Sequence, residues 1–238
     1  MTPSEATEVL LPLADHVGPR PDVAAVAGTP AEHFPPAHRE LLLAMNGFTV
    51  YHGTFRMLGI GRELPSLDLA AWNAPETWRF AWDDRIDPYV IFAESAFGDS
   101  YAYRRSPDGG LAPEVLFLEG VLLQPEPLAG SFEEFLADEF VRNARKPYDR
   151  YLLGAVDRSG PIAPDKHWTY APSVALGAEE DLDNLTELPA VTERTFAGDL
   201  ATAMENAVTD PVGVVPWTDD RGRARLRVLF GTGHEEPA

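Results

Sequence analysis

A hydrolytic nucleophile needs its serine on a sharp strand-to-helix turn. Gly98-Asp-Ser-Tyr-Ala102 offers the serine but lacks the second glycine that lets helix and strand approach closely. Asp99, following Gly98 between two strand-like runs, is of the type that bonds neighbouring amides in a turn. Gly59-Ile-Gly-Arg-Glu-Leu64 begins like a dinucleotide fingerprint and then places Leu64 where the third glycine should be. No Gly-Lys-Ser/Thr loop is available to cradle phosphates. The histidines are His16, His33, His38, His52, His167 and His234; none forms a His-Glu-x-x-His pair, and the break at Pro35-Pro36 keeps His33 and His38 off a common helical face. The absence of cysteine excludes thiolate catalysis, disulfides and Cys-ligated zinc. Glu179-Glu-Asp-Leu-Asp183 clusters carboxylates as a hard cation requires, yet a calcium loop counted from Asp181 has Thr186 where glycine should turn the chain and Thr192 where glutamate should close it. Residue order therefore points to no catalytic residue, no metal and no cofactor. A hydrolase built on buried carboxylates is a lesser alternative, because its test is a separation in space.

Binding is the stronger expectation. The chain of 238 residues carries 19 Lys and Arg against 38 Asp and Glu, a net charge of −19. That field opposes phosphate backbones and anionic membranes, so neither nucleic acid nor membrane is an expected partner. It either maintains solubility or speeds encounter with a cationic protein, by about ten- to a thousand-fold at low salt. Glu179, Glu180, Asp181 and Asp183 lie in a run reaching Glu187 without an intervening Lys or Arg. They read as a solvated loop or as part of a surface that meets a basic partner. Trp72, Trp78 and Trp82 crowd a short segment, and each indole must bury roughly 150–250 Å². They read as core or as a partner-facing groove.

The elements that position these residues follow from periodicity. Residues 5–17 carry Val9, Leu10, Leu13 and Val17 on one helical face, weakened by Pro12. A second helix after Pro35-Pro36 carries Leu41, Leu42 and Met45 and ends at Asn46-Gly47, suited to a left-handed cap. Thr54 to Ile60 reads as a strand, and Asp68 as the cap of a short helix leading into Trp72. Tyr89-Val-Ile-Phe-Ala93 is the apolar run of a central strand. Tyr101 to Arg105, the turn Ser106-Pro-Asp-Gly-Gly110 and Glu114 to Leu118 form an antiparallel hairpin. Ser131 opens a helix with the stripe Phe132, Phe135, Leu136 and Phe140, leaving Glu133, Asp138 and Glu139 to water. Beyond it, a helix is expected over Tyr148 to Val156 and a strand over His167 to Tyr170. A helix carrying Phe196, Leu200, Ala203, Met204 and Ala207 follows, with Gly198 as a weak point, and then a hairpin over Val212 to Trp217 and Ala224 to Phe230. No run approaches the ~18 apolar residues of a membrane span and the N-terminus lacks the pattern of a secretion signal, so a cytoplasmic protein is expected.

Leu41-Leu-Leu-Ala-Met-Asn-Gly-Phe48, then Phe55-Arg-Met-Leu-Gly59, then Phe92-Ala-Glu-Ser-Ala-Phe-Gly-Asp-Ser-Tyr-Ala-Tyr103, with Ser131-Phe-Glu-Glu-Phe-Leu136 closing the series, resembles the SUKH superfamily. That superfamily holds the fungal cell-wall assembly regulator and many bacterial immunity proteins. The resemblance implies an α+β domain over residues 1–145, with an antiparallel-rich central sheet flanked by helices and an α+β extension over 146–238 packed on it. It also implies a non-enzymatic module that neutralises a cognate toxin by stoichiometric binding, with acids opposing a basic surface such as that of a nuclease over about 1,600 Å². A regulatory scaffold without a toxin is the alternative.

Overall fold

The computed structural model describes residues 1–205 and 207–231. Its central sheet has six strands in sequential order: β1 (Phe48–Val50), β2 (Phe55–Met57), β3 (Tyr89–Ser95), β4 (Ser100–Arg105), β5 (Leu111–Leu118) and β6 (Pro125–Ala129). Every neighbouring pair is antiparallel, so the sheet is a meander. All residues of β3 are buried, as its unbroken apolar run requires of a strand covered on both faces. The chain is thus α+β with an antiparallel sheet and flanking helices, as its residue pattern led us to expect.

Helices α1 (Pro3–Leu10) and α2 (Pro36–Ala44) come before the sheet, and α3 (Leu69–Trp72) lies between β2 and β3. Then α4 (Phe132–Phe135), a π turn over Leu136–Phe140 and α5 (Val141–Arg145) follow β6. The rings of Phe34, His38, Phe92, Tyr103, Phe132 and Phe135 interlock between helices and sheet, with His38 stacked between Phe34 and Phe132 at 4.3 and 3.9 Å. Asn46 ties three segments together, its amide donating to the carbonyls of Pro19 and Ile60 and its oxygen accepting from the Ile60 N–H. Gly47 takes the left-handed conformation foreseen for it, at φ 64°.

Two details differ from expectation. The first helix stops at Leu10 and gives way to a 3-10 turn over Leu11–Leu13, because Pro12 has no N–H to continue the ladder. Glu139 is buried rather than turned to water. Its Oε1 accepts from the Tyr101 and Tyr148 hydroxyls and the Asn143 amide, and its Oε2 from Arg142, so four donors replace solvent.

The C-terminal part comprises α6 (Arg150–Ser159), β7 (Lys166–Tyr170), β8 (Leu185–Pro189), α7 (Ala190–Glu205), β9 (Pro211–Thr218) and β10 (Ala224–Phe230). Its Leu152, Ala155, Ile162, Trp168, Ala190 and Ala201 join the same buried cluster as the sheet residues. Among the described residues, those before and after residue 145 therefore share one core. Strands β7–β8 and β9–β10 form separate two-stranded ribbons. Among the described residues, no helix is long and apolar enough to cross a membrane.

Candidate functional site

The crowded tryptophans Trp72, Trp78 and Trp82 are fully buried, which corrects the partner-facing reading of them: they offer no surface in this fold. Trp78 and Trp82 hold a charge. The Arg194 guanidinium carbon, from α7, lies 4.7 Å from the Trp78 ring centre and 5.0 Å from that of Trp82. Its Nη1 donates to the carbonyls of Gly98 and Gly120 at 2.9 and 3.0 Å. The Trp82 indole N–H donates in turn to the Arg194 carbonyl at 2.8 Å. This embrace depends on Gly198, where a Cβ would sit 2.7 Å from the Ala81 carbonyl oxygen and 2.8 Å from Trp82. The glycine expected to be a weak point in its helix is the place where the helix touches the core.

Beside Arg194 runs a chain of buried ions. His167 Nδ1 is 2.9 Å from Glu193 Oε2, and its Nε2 is 3.6 Å from Glu94 Oε2. Ser100 donates to the other Glu94 oxygen at 3.0 Å. Burial alone would raise the Glu94 pKa, but the neighbouring His167, with the Arg194 and Arg56 guanidiniums, holds it below the usual carboxylate range. Arg56 donates to the carbonyls of Pro164 and Lys166 at 2.6 and 2.8 Å, joining β2 to the segment before β7. A register shift between Ile91 and Ala93 makes this possible: Phe92 packs on the helical side while Glu94, two residues on, meets the C-terminal part. His167 is bonded to Glu193 at Nδ1, and its Nε2, 3.6 Å from Glu94 and without a hydrogen-bond partner, is fully buried away from solvent. Among the described residues, no group of three or more such side chains forms an arrangement that could hold a metal ion.

Outside the ion chain lies a cavity of about 500 Å³ between β7–β8, α7, β9–β10 and the loops at Phe97 and Glu119. Phe97, Trp168, Tyr170, Leu188, Phe196 and Leu226 supply much of its apolar wall. Phe97 and Tyr170 stack, with ring centres 5.8 Å apart. The charged residues of the lining are Asp99, Glu119, Asp149, Glu180 and Glu193, with no Lys or Arg. Burial pushes Asp99 up to about 6, against the hydrogen bonds it accepts from the Gly120 N–H and the Ser95 hydroxyl. Asp99 is thus a turn residue as foreseen, although its amide partner belongs to a distant loop. Burial, then the charges of Glu180, Asp149 and Asp181 together with Tyr151, push Tyr170 up to about 12. The acids therefore concentrate negative potential at the mouth.

Glu179, Glu180, Asp181 and Asp183 are exposed. Glu180 lines the cavity itself, while Glu179, Glu180 and Asp181 border an adjoining shallow depression with Arg150 and Tyr151. Asp183 pairs with Arg158 on the surface, a contact of small energetic worth. Reasoning from residue order missed Asp99 as a cavity residue, and it missed Glu119, Tyr151, Tyr170 and the buried His167, Glu193 and Arg194. The one available signal was a Glu-Arg pair on a helix whose apolar stripe is weak.

No family model matches the sequence, and no curated protein matches it. Among solved structures, the fold is similar to that of Atu4351 from Agrobacterium tumefaciens, with a TM-score of 0.54 at 12% identity over 96% of this chain and 100% of that one. At that identity the likeness concerns the fold alone, and it extends over both parts of the chain.

Proposed function

We propose that this chain is a non-enzymatic binding module of the SUKH type: a cytoplasmic immunity protein that occludes a cognate bacterial toxin in a stoichiometric complex. The observation that carries this reading is the position of the exposed acids Glu179, Glu180 and Asp181, which with Arg150 border a depression adjoining a cavity lined by five acids and no Lys or Arg. A net charge of −19 extends the same field over the molecule. Such a surface suits a basic protein such as a nuclease, with charge governing encounter and apolar contacts governing residence. The test is association with the toxin-like product of the adjacent gene, followed kinetically between about 50 and 500 mM salt. A 1:1 complex is expected, with an association rate that falls steeply with salt. In the Glu179→Gln/Glu180→Gln/Asp181→Asn triple variant that rate should drop by about ten-fold at low salt. Absence of a complex, or indifference to salt, refutes the proposal.

A second reading has one observation in its favour, that Asp99 and Glu193 share the cavity wall and Asp99 is pushed up to about 6. A carboxylate hydrolase would turn over nitrophenyl esters or glycosides and lose that turnover in Asp99→Asn. The binding module turns over neither.

A further inference from the structure

Resting on the binding reading above, we propose that the cavity receives one arginine or lysine side chain of the protein partner, together with its flanking peptide. Three independent features of the wall converge on that chemistry. The volume of about 500 Å³ falls in the range of ligand pockets and exceeds what a lone side chain needs, leaving room for adjoining backbone. Asp99 and Glu119, both in the lining, are near enough for the charge of Glu119 to raise the pKa of Asp99; Arg194, outside the lining, opposes this with a smaller effect, and the lining itself holds no Lys or Arg. Each Asp99 oxygen accepts a single hydrogen bond, so lone pairs are left for a cation. Trp168 lines the same cavity, is 1% exposed, and its indole N–H has no acceptor among the described residues. That N–H has no exposed surface, so Trp168 gives the cavity an apolar face rather than a donor. The stacked Phe97 and Tyr170 give the alkyl stem or guanidinium plane an aromatic face.

A bare anion is excluded from such a wall by charge. A neutral apolar ligand would leave the carboxylates desolvated without a partner. The occupant must combine an apolar body with a cation, which describes a basic side chain.

The experiment titrates the full chain calorimetrically with benzoyl-arginine amide and with its uncharged isostere, benzoyl-citrulline amide. The arginine compound is expected to bind at least about ten-fold more tightly, a preference that Asp99→Asn and Glu119→Gln each reduce while the far-ultraviolet circular dichroism stays unchanged. Because the two compounds are compared on the unaltered protein, the result stands even if a variant fails to fold. Equal affinity, or no binding of either compound, overturns the pocket assignment while leaving a salt-sensitive complex with the toxin intact. In the second arm, saturating benzoyl-arginine amide is expected to weaken the toxin complex. If it binds without competing, the partner's side chain is not the occupant. If it binds and no toxin complex exists, both the immunity reading and this occupant fall, and the ligand is a free organic cation.

Discussion

Replacing Gly198 by alanine sets a local gain against a tertiary loss. Within a helix, alanine is favoured over glycine by about 1 kcal/mol. Gly198 lies in the middle of α7, so local propensity alone forecasts a more stable protein. The added Cβ, however, would stand 2.7 Å from the Ala81 carbonyl oxygen and 2.8 Å from Cδ1 and Nε1 of Trp82. Neither neighbour can retreat easily. The first is backbone in the turn Arg79–Ala81, and the second is a fully buried indole tied to the Arg194 carbonyl. Overpacking of this kind costs about 1–3 kcal/mol, and displacement of Trp82 also disturbs one of the two rings around Arg194. The net expectation is a loss of up to about 2 kcal/mol, or up to roughly 8 °C in Tm for a chain of this size. Urea and thermal melts followed by tryptophan fluorescence would measure it. Gly154→Ala is the control: its Cβ would meet the Leu182 Cδ1 at 2.5 Å, the end of a flexible side chain that can turn aside. That variant should be close to neutral. A rise in stability for Gly198→Ala, equal to that of an exposed helical glycine, would refute the close docking of α7 on Trp82.

Two further outcomes follow from the buried charges. Arg194→Met removes a cation held by two carbonyls and two indoles and leaves Glu94 short of a counter-charge; a loss of about 3–5 kcal/mol is expected in denaturant melts, and Arg194→Lys should recover only part of it, since one ammonium cannot reproduce the planar stacking. Asp99 is raised from 3.8 to about 6 by burial, so the native protein binds this proton more tightly than the unfolded chain. The Asp99 contribution to stability is greatest below about pH 4, declines between about 4 and 6, and above 6 stands as a penalty of about 3 kcal/mol. Asp99→Asn should therefore gain stability relative to the parent as pH rises from 4 to 7.5. The comparison cancels the opposite trend of Glu94, whose lowered pKa makes it lose stabilisation on acidification. A difference between the two proteins that is constant with pH would show that Asp99 is not desolvated.

The sheet and its helical cover were legible because their signals are local. Tyr89 to Ala93 is apolar without interruption, Ser106 to Gly110 can only turn, and Ser131 caps a helix with an aromatic stripe; β3, the β4–β5 hairpin and α4 follow directly. The last hairpin was equally plain, since Pro211–Thr218 and Ala224–Phe230 flank a turn at Asp219. The inward face of α7 was not. Its expected stripe was Phe196, Leu200, Ala203, Met204 and Ala207; Leu200 is buried, but Ala207 lies beyond the helix and the other buried residues include Glu193, Arg194, Gly198 and Asp199. Hydrophobic periodicity detects a buried face only when that face is apolar, and here the partners that make charge tolerable lie elsewhere in the chain. Glu193 meets His167, Arg194 meets Gly98 and Gly120, and Asp199 meets Arg225.

The chain by itself determined the hairpin of β4 with β5 and that of β9 with β10, the lack of a thiol and the sign of its field, because each depends on composition or on neighbours a few residues apart. Tertiary structure alone decided that Trp78 and Trp82 clasp an arginine rather than face a partner, and that Asp99, Glu119, Asp149 and Glu180 wall one cavity. Desolvation and pairing depend on distance in space, and residues a hundred positions apart acquire that distance only when the chain has folded.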